Sequence, residues 1–347
     1  MPPSPRILIV RLSAIGDVIH GIPVACALRE HLPQAHIAWM VEGRSADLLR
    51  GHQALDEIIN VPRGWLKSPA FVWRLRSQLR RPRYDVTIDM QGLTKSALVA
   101  RIAGAKRRIG FSGWEGRELS TWLNNELVAA TKTHVIDRNL ELLRPLGILA
   151  PAVRFDLPET TADRTTAERA IAERITVERP LRHGFAVINP GAGWPSKLWP
   201  RDRFAAVARY LGEREATPSL VVWAGPQERG WAEEIVAGAD GHARLAPPTT
   251  LTELAAIVRR ARLFIASDTG PLHLAAAVGT PCVGLYGPVS AERNGPYGPQ
   301  HVSLQKICLP TRSRQRRTAG PESMEAIGVD DVCQACCRVL AQRERAA

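Results

Sequence analysis

Short, nearly continuous apolar runs recur along the chain and alternate with longer stretches in which apolar residues return every three or four positions. The runs fall at 6–10, 36–41, 57–61, 84–89, 185–189, 220–224, 263–266 and 282–286. Segments that are apolar on both faces, such as I-L-I-V at 7–10, suit parallel strands covered by helices on either side. Helical spacing fills 17–31, 201–212, 251–262 and 272–278. Alternation of this kind predicts an open parallel α/β sheet.

The alternation comes in two series. Between them, 147–183 carries Pro151, Pro158 and Pro180 and a polar helical piece, 161–178, but no strand of the I-L-I-V type. It reads as a connection, which predicts two Rossmann-like domains, 1–160 and 161–328. A closing helical pattern at 329–345 suggests a C-terminal element, 329–347, that packs back on the first domain. Open α/β sheets bind ligands at the carboxyl ends of their strands, and two of them facing each other would form a cleft. The chemistry is therefore sought in the loops that follow the strands.

Composition narrows the class. With 45% hydrophobic and 23% charged residues among 347, the chain can build a core and is not a disordered protein. Six cysteines are too few for an extracellular disulfide framework and suit a reducing, cytoplasmic setting. The first apolar run stops at Arg11, so no signal peptide is expected. The uncharged stretch 269–291 holds four Gly, three Pro and His273, and so reads as strand, turn and helix pieces, not a membrane span. Cys333 and Cys336 have C-x-x-C spacing without a partner pair, and Cys333 with Cys337 fits one helix face better than a zinc site.

Charge is concentrated. The net charge is +12, and the segment 60–117 alone holds thirteen basic residues against Asp85, Asp89 and Glu115. Such a surface attracts phosphate, nucleic acid or an anionic membrane, or simply solubilises the chain. Its aromatics (Trp65, Phe71, Trp73, Tyr84, Phe111, Trp114) form no stacking motif, which argues against nucleic acid.

Four loops stand out. In R-L-S-A-I-G-D, after the first strand, Gly16 permits a tight turn into a helix. Asp17 there is either a helix cap or a carboxylate base. No G-x-G-x-x-G fingerprint is present, so a nicotinamide cofactor is not expected. In N-P-G-A-G-W-P-S-K, after the strand at 185–189, Gly191 and Gly193 let backbone amides approach an anion and Lys197 supplies a point charge. In S-D-T-G-P-L-H, after the strand at 263–266, Thr269, Gly270 and Pro271 open a helix whose free N–H groups suit an anion. Asp268 would repel a phosphate and more naturally caps that loop; His273 is either an anion donor or an ordinary helix residue. Glu228, after the strand at 220–224, could hold ribose hydroxyls or merely start a helix. Three of the loops thus converge on a nucleotide diphosphate in the second domain, the layout of a transferase with an activated donor.

The motifs R-L-S-A-I-G-D-V-I-H-G-I-P (11–23), D-M-Q-G-L-T-K-S-A (89–97), W-P-S-K-L-W-P (194–200) and S-D-T-G-P-L-H-L-A-A-A (267–277) resemble the lipopolysaccharide heptosyltransferases, glycosyltransferase family nine. The resemblance covers roughly residues 5 to 340, and R-R-I-G-F (107–111) looks most like the heptosyltransferase I branch. It implies a GT-B fold and inverting transfer of L-glycero-D-manno-heptose from ADP-heptose to a Kdo residue of lipid A, without cofactor or catalytic metal. It implies an enzyme that works cytoplasmically, peripheral on the inner leaflet of the membrane. Asp17 matches the catalytic base, with Lys197 acting on the leaving group. Ala192, Gly193, Lys197, Glu228, Thr249, Asp268, Thr269, Gly270 and His273 match the donor site. Arg63, Lys67, Gln91, Lys95, Arg117 and Arg138 match the acceptor side. At Ala192 and Gly193 the family can carry threonines, so only backbone contacts are expected here. Competing readings are a GT-B nucleotide-sugar epimerase, which leaves the basic surface unexplained, and a basic nucleic-acid binder.

Overall fold

The first apolar run becomes β1 (Arg6–Val10), with Ile7 to Val10 fully buried. β1 pairs in parallel with β2 (His36–Glu42), and β2 with β3 (Glu57–Val61). On its other side β1 pairs with β4 (Val86–Asp89), followed by β5 (Arg107–Phe111) and β6 (Glu126–Val128). The order β3-β2-β1-β4-β5-β6 reverses direction once, between β1 and β4. The computed structural model describes residues 2–174, 184–309 and 313–346.

Helices cover this sheet: α1 (Ile15–Ile19), α2 (Ile22–His31), α3 (Pro69–Arg80), α4 (Thr94–Ala103), α5 (Ser120–Leu123) and α6 (Val135–Glu141). Leu75 and Leu79 of α3 and Val99 and Ala103 of α4 close one core with Leu8, Val10, Ala38, Met40, Ile59 and Val61 of the strands. α5 packs on α4 and β5, while α2 packs on β2 and α6. Right-handed crossovers account for this division, because the connection direction changes after β3 and moves α3, α4 and α5 to the opposite face from α2.

A second sheet follows the same plan: β7 (Ala186–Asn189), β8 (Ser219–Val221), β9 (Ala243–Leu245), β10 (Leu263–Ser267), β11 (Cys282–Tyr286) and β12 (Val302–Gln305). Its order, β12-β11-β10-β7-β8-β9, reverses between β7 and β10, and every pairing is parallel. Its helices are α7 (Thr161–Arg174), α8 (Arg201–Arg214), α9 (Gly225–Gly238), α10 (Leu251–Arg259), α11 (Gly270–Ala277), α12 (Ala291–Asn294), α13 (Ser313–Arg317), α14 (Glu322–Glu325) and α15 (Val329–Ala346). The chain separates into two compact units, Met1–Pro158 and Glu159–Ala347. α7 belongs to the second, packed on α10, with Arg260 donating to Glu159 Oε1 at 2.6 Å. Residues 175–178 of the helix expected at 161–178 lie outside the described residues.

The structure corrects several expectations. The last helix is part of the second unit and not a separate element. Val332, Cys333, Ala335, Cys336, Val339 and Leu340 recur at helical spacing and fill the second unit's core beside Trp199, Phe204 and Val283. Cys333 and Cys336 are thus core residues, and Cys337 Sγ lies 3.4 Å from the Tyr210 hydroxyl. Four strands escaped the apolar pattern. β6, β9 and β12 are edge strands of three or four residues with little to bury, and β5 carries Arg107, Arg108 and Gly110. Arg107 is accommodated by Glu126, whose oxygens it meets at 2.7 Å. The helix expected at 17–31 is two, α1 and α2, interrupted at His20 and Gly21 just before Pro23.

Phe204 sits edge-on to Trp199, with ring centroids 4.8 Å apart, and Trp199 Nε1 donates to Ile327 O at 3.0 Å. This contact ties α8 to the C-terminal segment. Phe204→Ala should lower the stability of the second unit by about 3–5 kcal/mol, read from its denaturant transition.

Candidate active site

In the second unit the reversal between β7 and β10 places two loops side by side at the carboxyl ends of the strands. The loop after β7 runs from Asn189 through Gly191 and Gly193 to the short 3-10 turn Pro195–Lys197. The loop after β10 holds Asp268 and Thr269 and leads into α11. Asn189 Nδ2 donates to Thr269 Oγ1 at 3.3 Å, which stitches the two loops together. Thr269 caps α11 by accepting from Leu272 N at 3.4 Å. Pro271 has no N–H, so the Gly270 amide is the donor of that first turn aimed outward.

Lys197 crosses from one loop to the other. Its Nζ lies 2.5 Å from Asp268 Oδ2 and 3.4 Å from the Asp268 carbonyl, and 4.3 Å above the Trp194 ring. His273 Nε2 donates to the second oxygen, Oδ1, at 3.1 Å. Burial by itself would push the Asp268 carboxyl up. The hydrogen bond from His273 and the charge of Lys197 outweigh it and draw the carboxyl down to about 2. The sequence left His273 open between anion donor and ordinary helix residue. The structure gives one of its ring nitrogens to Asp268, and so makes it a buried member of the Asp268 network.

Glu228 stands at the start of α9 and accepts from Ala224 N at 2.8 Å. Burial raises its carboxyl. A Cβ on Gly191 would lie 2.3 Å from Glu228 Oε1, so a larger residue there would have to push the Glu228 carboxylate aside. Ala192 is half-buried and Gly193 is exposed, leaving backbone as the main resource of that stretch. Thr249 follows β9, two strands from β7, just before the capping box of Thr250 and Glu253 that opens α10.

The first unit repeats the arrangement at its own reversal. The loop after β1 meets the loop after β4: Leu12 N donates to Gln91 Oε1 at 3.0 Å, and Arg11 donates to the Met90 carbonyl. Arg11, a charged residue ending an apolar strand, is buried and pairs with Asp17, Nη2 to Oδ1 2.6 Å. Asp17 Oδ2 accepts from Ala14 N at 3.2 Å, placing Asp17 third in α1 and not at its cap, and its side chain stays 45% exposed. The carboxylate is therefore oriented and still open to a ligand. Lys95 pairs with the buried Glu42, whose N–H donates to Leu12 O at 2.9 Å. Gln91, Lys95 and Asp17 thus belong to one network.

The remaining basic residues are placed less uniformly. Arg117 reaches the Gln91 carbonyl at 3.4 Å, whereas Arg138 is held by Glu115 and by the Lys132 carbonyl at 2.6 Å. Gly92, in the left-handed region at φ 64°, lets the 112–120 loop close over it, since a Cβ there would lie 2.1 Å from the Glu115 carbonyl. Arg63 and Lys67 are exposed on the loop after β3, two strands from β1. The sequence did not single out Arg11, Glu42 or Asn189. Asp89 entered only within its motif and among the acids of the basic segment; its buried carboxylate, raised by burial, accepts from Gln91 N, Gly92 N and Asn124 Nδ2 and so shapes the turn.

Residues 72–320 match the family model of glycosyltransferase family 9 (heptosyltransferase). The chain belongs to this family. Lipopolysaccharide heptosyltransferase 1 of Pseudomonas aeruginosa is 30% identical over 86% of this chain and 83% of its own length. A glycosyl transferase family 9 protein of Veillonella parvula superposes with a TM-score of 0.84 at 22% identity, covering 97% of this chain and 98% of that one. The E. coli heptosyltransferase WaaC with ADP-2-deoxy-2-fluoro heptose superposes at 0.72 and 24% identity, covering 96% and 99%. This family 9 enzyme is therefore a glycosyltransferase of GT-B fold, and no helix among its described residues is long and apolar enough to cross a membrane.

A carboxyl held near 2 stabilises the folded state above the ordinary carboxylate range and loses that contribution as pH falls through about 4 to 2. Asp268→Asn should remove this acid-side slope, about 2 kcal/mol of it, in unfolding measured across that range. Gly191→Ala should weaken ADP binding by calorimetry, and the double change Gly191→Ala with Glu228→Ala should recover part of the loop geometry.

Proposed function

We propose that this glycosyltransferase moves L-glycero-D-manno-heptose from ADP-heptose to a Kdo residue of lipid A. The second unit would hold the donor and the first the acceptor, on the cytoplasmic side of the membrane. The observation that carries this reading is the Lys197–Asp268–His273 cluster at the β7/β10 reversal, in a chain of the heptosyltransferase family. An ammonium has three N–H groups, and Lys197 directs two of them at Asp268, which leaves one for a phosphate oxygen. Asp268 and Trp194 fix where that charge sits. The Gly270 amide and the α11 N-terminus add a second pole for the diphosphate.

In the reaction the acceptor hydroxyl oxygen forms a bond to the anomeric carbon while the bond from that carbon to the β-phosphate oxygen breaks. ADP departs with the bonding electron pair. The hydroxyl proton passes to the Asp17 carboxylate, which Arg11 and the Ala14 amide hold in place. Charge growing on the leaving diphosphate is met by Lys197 and backbone amides, while positive charge develops at the sugar ring as in glycoside hydrolysis. We assign no metal to this step. Glu228 suits ribose hydroxyls, and the cations after β3 and β5, Arg63, Lys67 and Arg117, suit the anionic acceptor. An epimerase would need no acceptor cations, and family membership favours transfer.

A screen of ADP-, UDP- and GDP-sugars by thermal shift, followed by transfer to Kdo-lipid A, tests the reading; ADP-heptose should stabilise the protein most and support transfer. Asp17→Asn should keep donor affinity and lose roughly 10²–10⁴ in kcat. Lys197→Ala should weaken both ADP-heptose binding and kcat, because its charge acts in the ground and transition states alike. Chelator should leave the rate unchanged; a rate restored only by added divalent cation would sink the metal-free step.

A further inference from the structure

Three tryptophans on the first unit are nearly bare. Trp114 is 93% exposed, Trp122 86% and Trp73 69%, with Leu119 and Leu66 also exposed. Large exposed apolar groups mark interaction sites, and exposed indoles suit an occupant that is apolar in part and can hydrogen-bond to the ring N–H.

The fold gathers them. α3, α4 and α5 lie side by side on one face of the sheet, α3 against α4 and α4 against α5. On α3 the buried residues are Leu75 and Leu79, and Trp73, two residues before Leu75, lies about 200° around the helix from it and points outward. Trp122 is in α5, and Trp114 is in the loop that closes over Gly92 at the carboxyl end of β4. Leu66 sits in the 3-10 turn Trp65–Lys67 that precedes α3. Leu119 directly precedes α5, so all five residues belong to the α3–α5 side or to the carboxyl edge of this sheet, where the Asp17 loop also lies.

Charge decides among occupants. From Val61 to Tyr84 the chain carries Arg63, Lys67, Arg74, Arg76, Arg80, Arg81 and Arg83 and no acid. All seven are exposed. A second copy placing the same face against this one would oppose the α3 cations to each other, with the exposed Glu118 of the Trp114 loop as a single acid against them. An anionic bilayer offers phosphates to the arginines and a headgroup zone to the indoles, which favour that interface.

We propose that the outer face of α3, α4 and α5 docks on an anionic bilayer, with Trp73, Trp114 and Trp122 entering the headgroup region and the α3 arginines meeting lipid phosphates. This rests on the reading that the acceptor is borne by a lipid. Docking would set the carboxyl edge of the first sheet at the membrane surface, where such an acceptor presents its sugar.

Binding is measured on the full chain without donor or acceptor, so that it can fail independently of the transfer reaction. Vesicles of phosphatidylethanolamine with phosphatidylglycerol are compared with pure phosphatidylcholine in a sedimentation assay. The protein should bind the anionic vesicles, and brominated lipid should quench its tryptophan emission. The triple change Trp73→Ser, Trp114→Ser and Trp122→Ser should weaken this binding by at least about tenfold. Arg74→Gln with Arg76→Gln should weaken it at low salt and flatten its salt dependence. In the triple variant the KM for a vesicle-borne acceptor should rise, while the KM for a delipidated soluble acceptor and the thermal midpoint stay unchanged. Absence of vesicle binding, equal binding to neutral vesicles, no effect of the tryptophan changes, or loss of self-association in place of vesicle binding would each overturn the proposal. Equal loss of transfer on both acceptors would likewise count against docking, since it would place these tryptophans in the reaction itself.

Discussion

Each sheet reverses its winding once, and everything chemical in this enzyme depends on those two reversals. In a parallel sheet with right-handed crossovers, neighbouring loops wound in one direction leave toward the same face and are covered by their own helices. Where the order turns back, between β1 and β4 and between β7 and β10, two loops separate and leave a crevice at the carboxyl edge. The same backbone rule thus creates both candidate sites. What differs is how each crevice is braced: the first by Leu12 on Gln91 and Arg11 on Met90, the second by Asn189 on Thr269 and Lys197 on Asp268.

Both sites use the same electrostatic device, a charge held rigidly by an opposite charge while some of its bonding capacity stays open. Asp17 is fixed by buried Arg11 yet remains almost half exposed, which suits the role of base we propose for it. Lys197 is fixed by buried Asp268 and by the Trp194 face yet keeps one N–H uncommitted to Asp268. Asp268, which would repel a phosphate if it stood alone, is paired with Lys197 on one oxygen and hydrogen-bonded by His273 on the other. Its role is to position the cation. Preorganisation of this kind spares the reorganisation that a mobile lysine would need as charge develops on the leaving group.

We read the basic stretch after β3 as serving a different end. Arg74, Arg76 and Arg80 are exposed on α3 and Trp73 and Trp122 lie on α3 and α5, while Trp114 sits at the carboxyl edge of the same sheet. A single strongly charged segment is thereby divided by the fold. Arg117 reaches the loop after β4, Arg107 is committed to Glu126, Arg80 donates to the Ile102 carbonyl at 3.2 Å, and Arg74 and Arg76 are exposed on α3.

Much of this was legible in the amino-acid order, because local physics reaches that far. Two-sided apolar runs such as I-L-I-V demand parallel strands, glycines after those strands demand tight turns, and Thr-Gly-Pro demands a helix start; the motifs built on them carried the family. Short edge strands such as Glu126–Val128 and Ala243–Leu245 were not legible, since a strand with one neighbour and little burial carries no pattern. The arginine-bearing β5 was hidden because Glu126, nineteen residues from Arg107, makes it tolerable. Nor could sequence spacing place the last helix in the second unit's core or send His273 to Asp268. Pairings such as Arg11 with Asp17 are local enough to be guessed. Lys197 with Asp268, 71 residues apart, and Leu12 with Gln91, 79 apart, exist only because the sheets reverse where they do. Residue type and local spacing determined which groups this protein has; the strand order decided which of them meet.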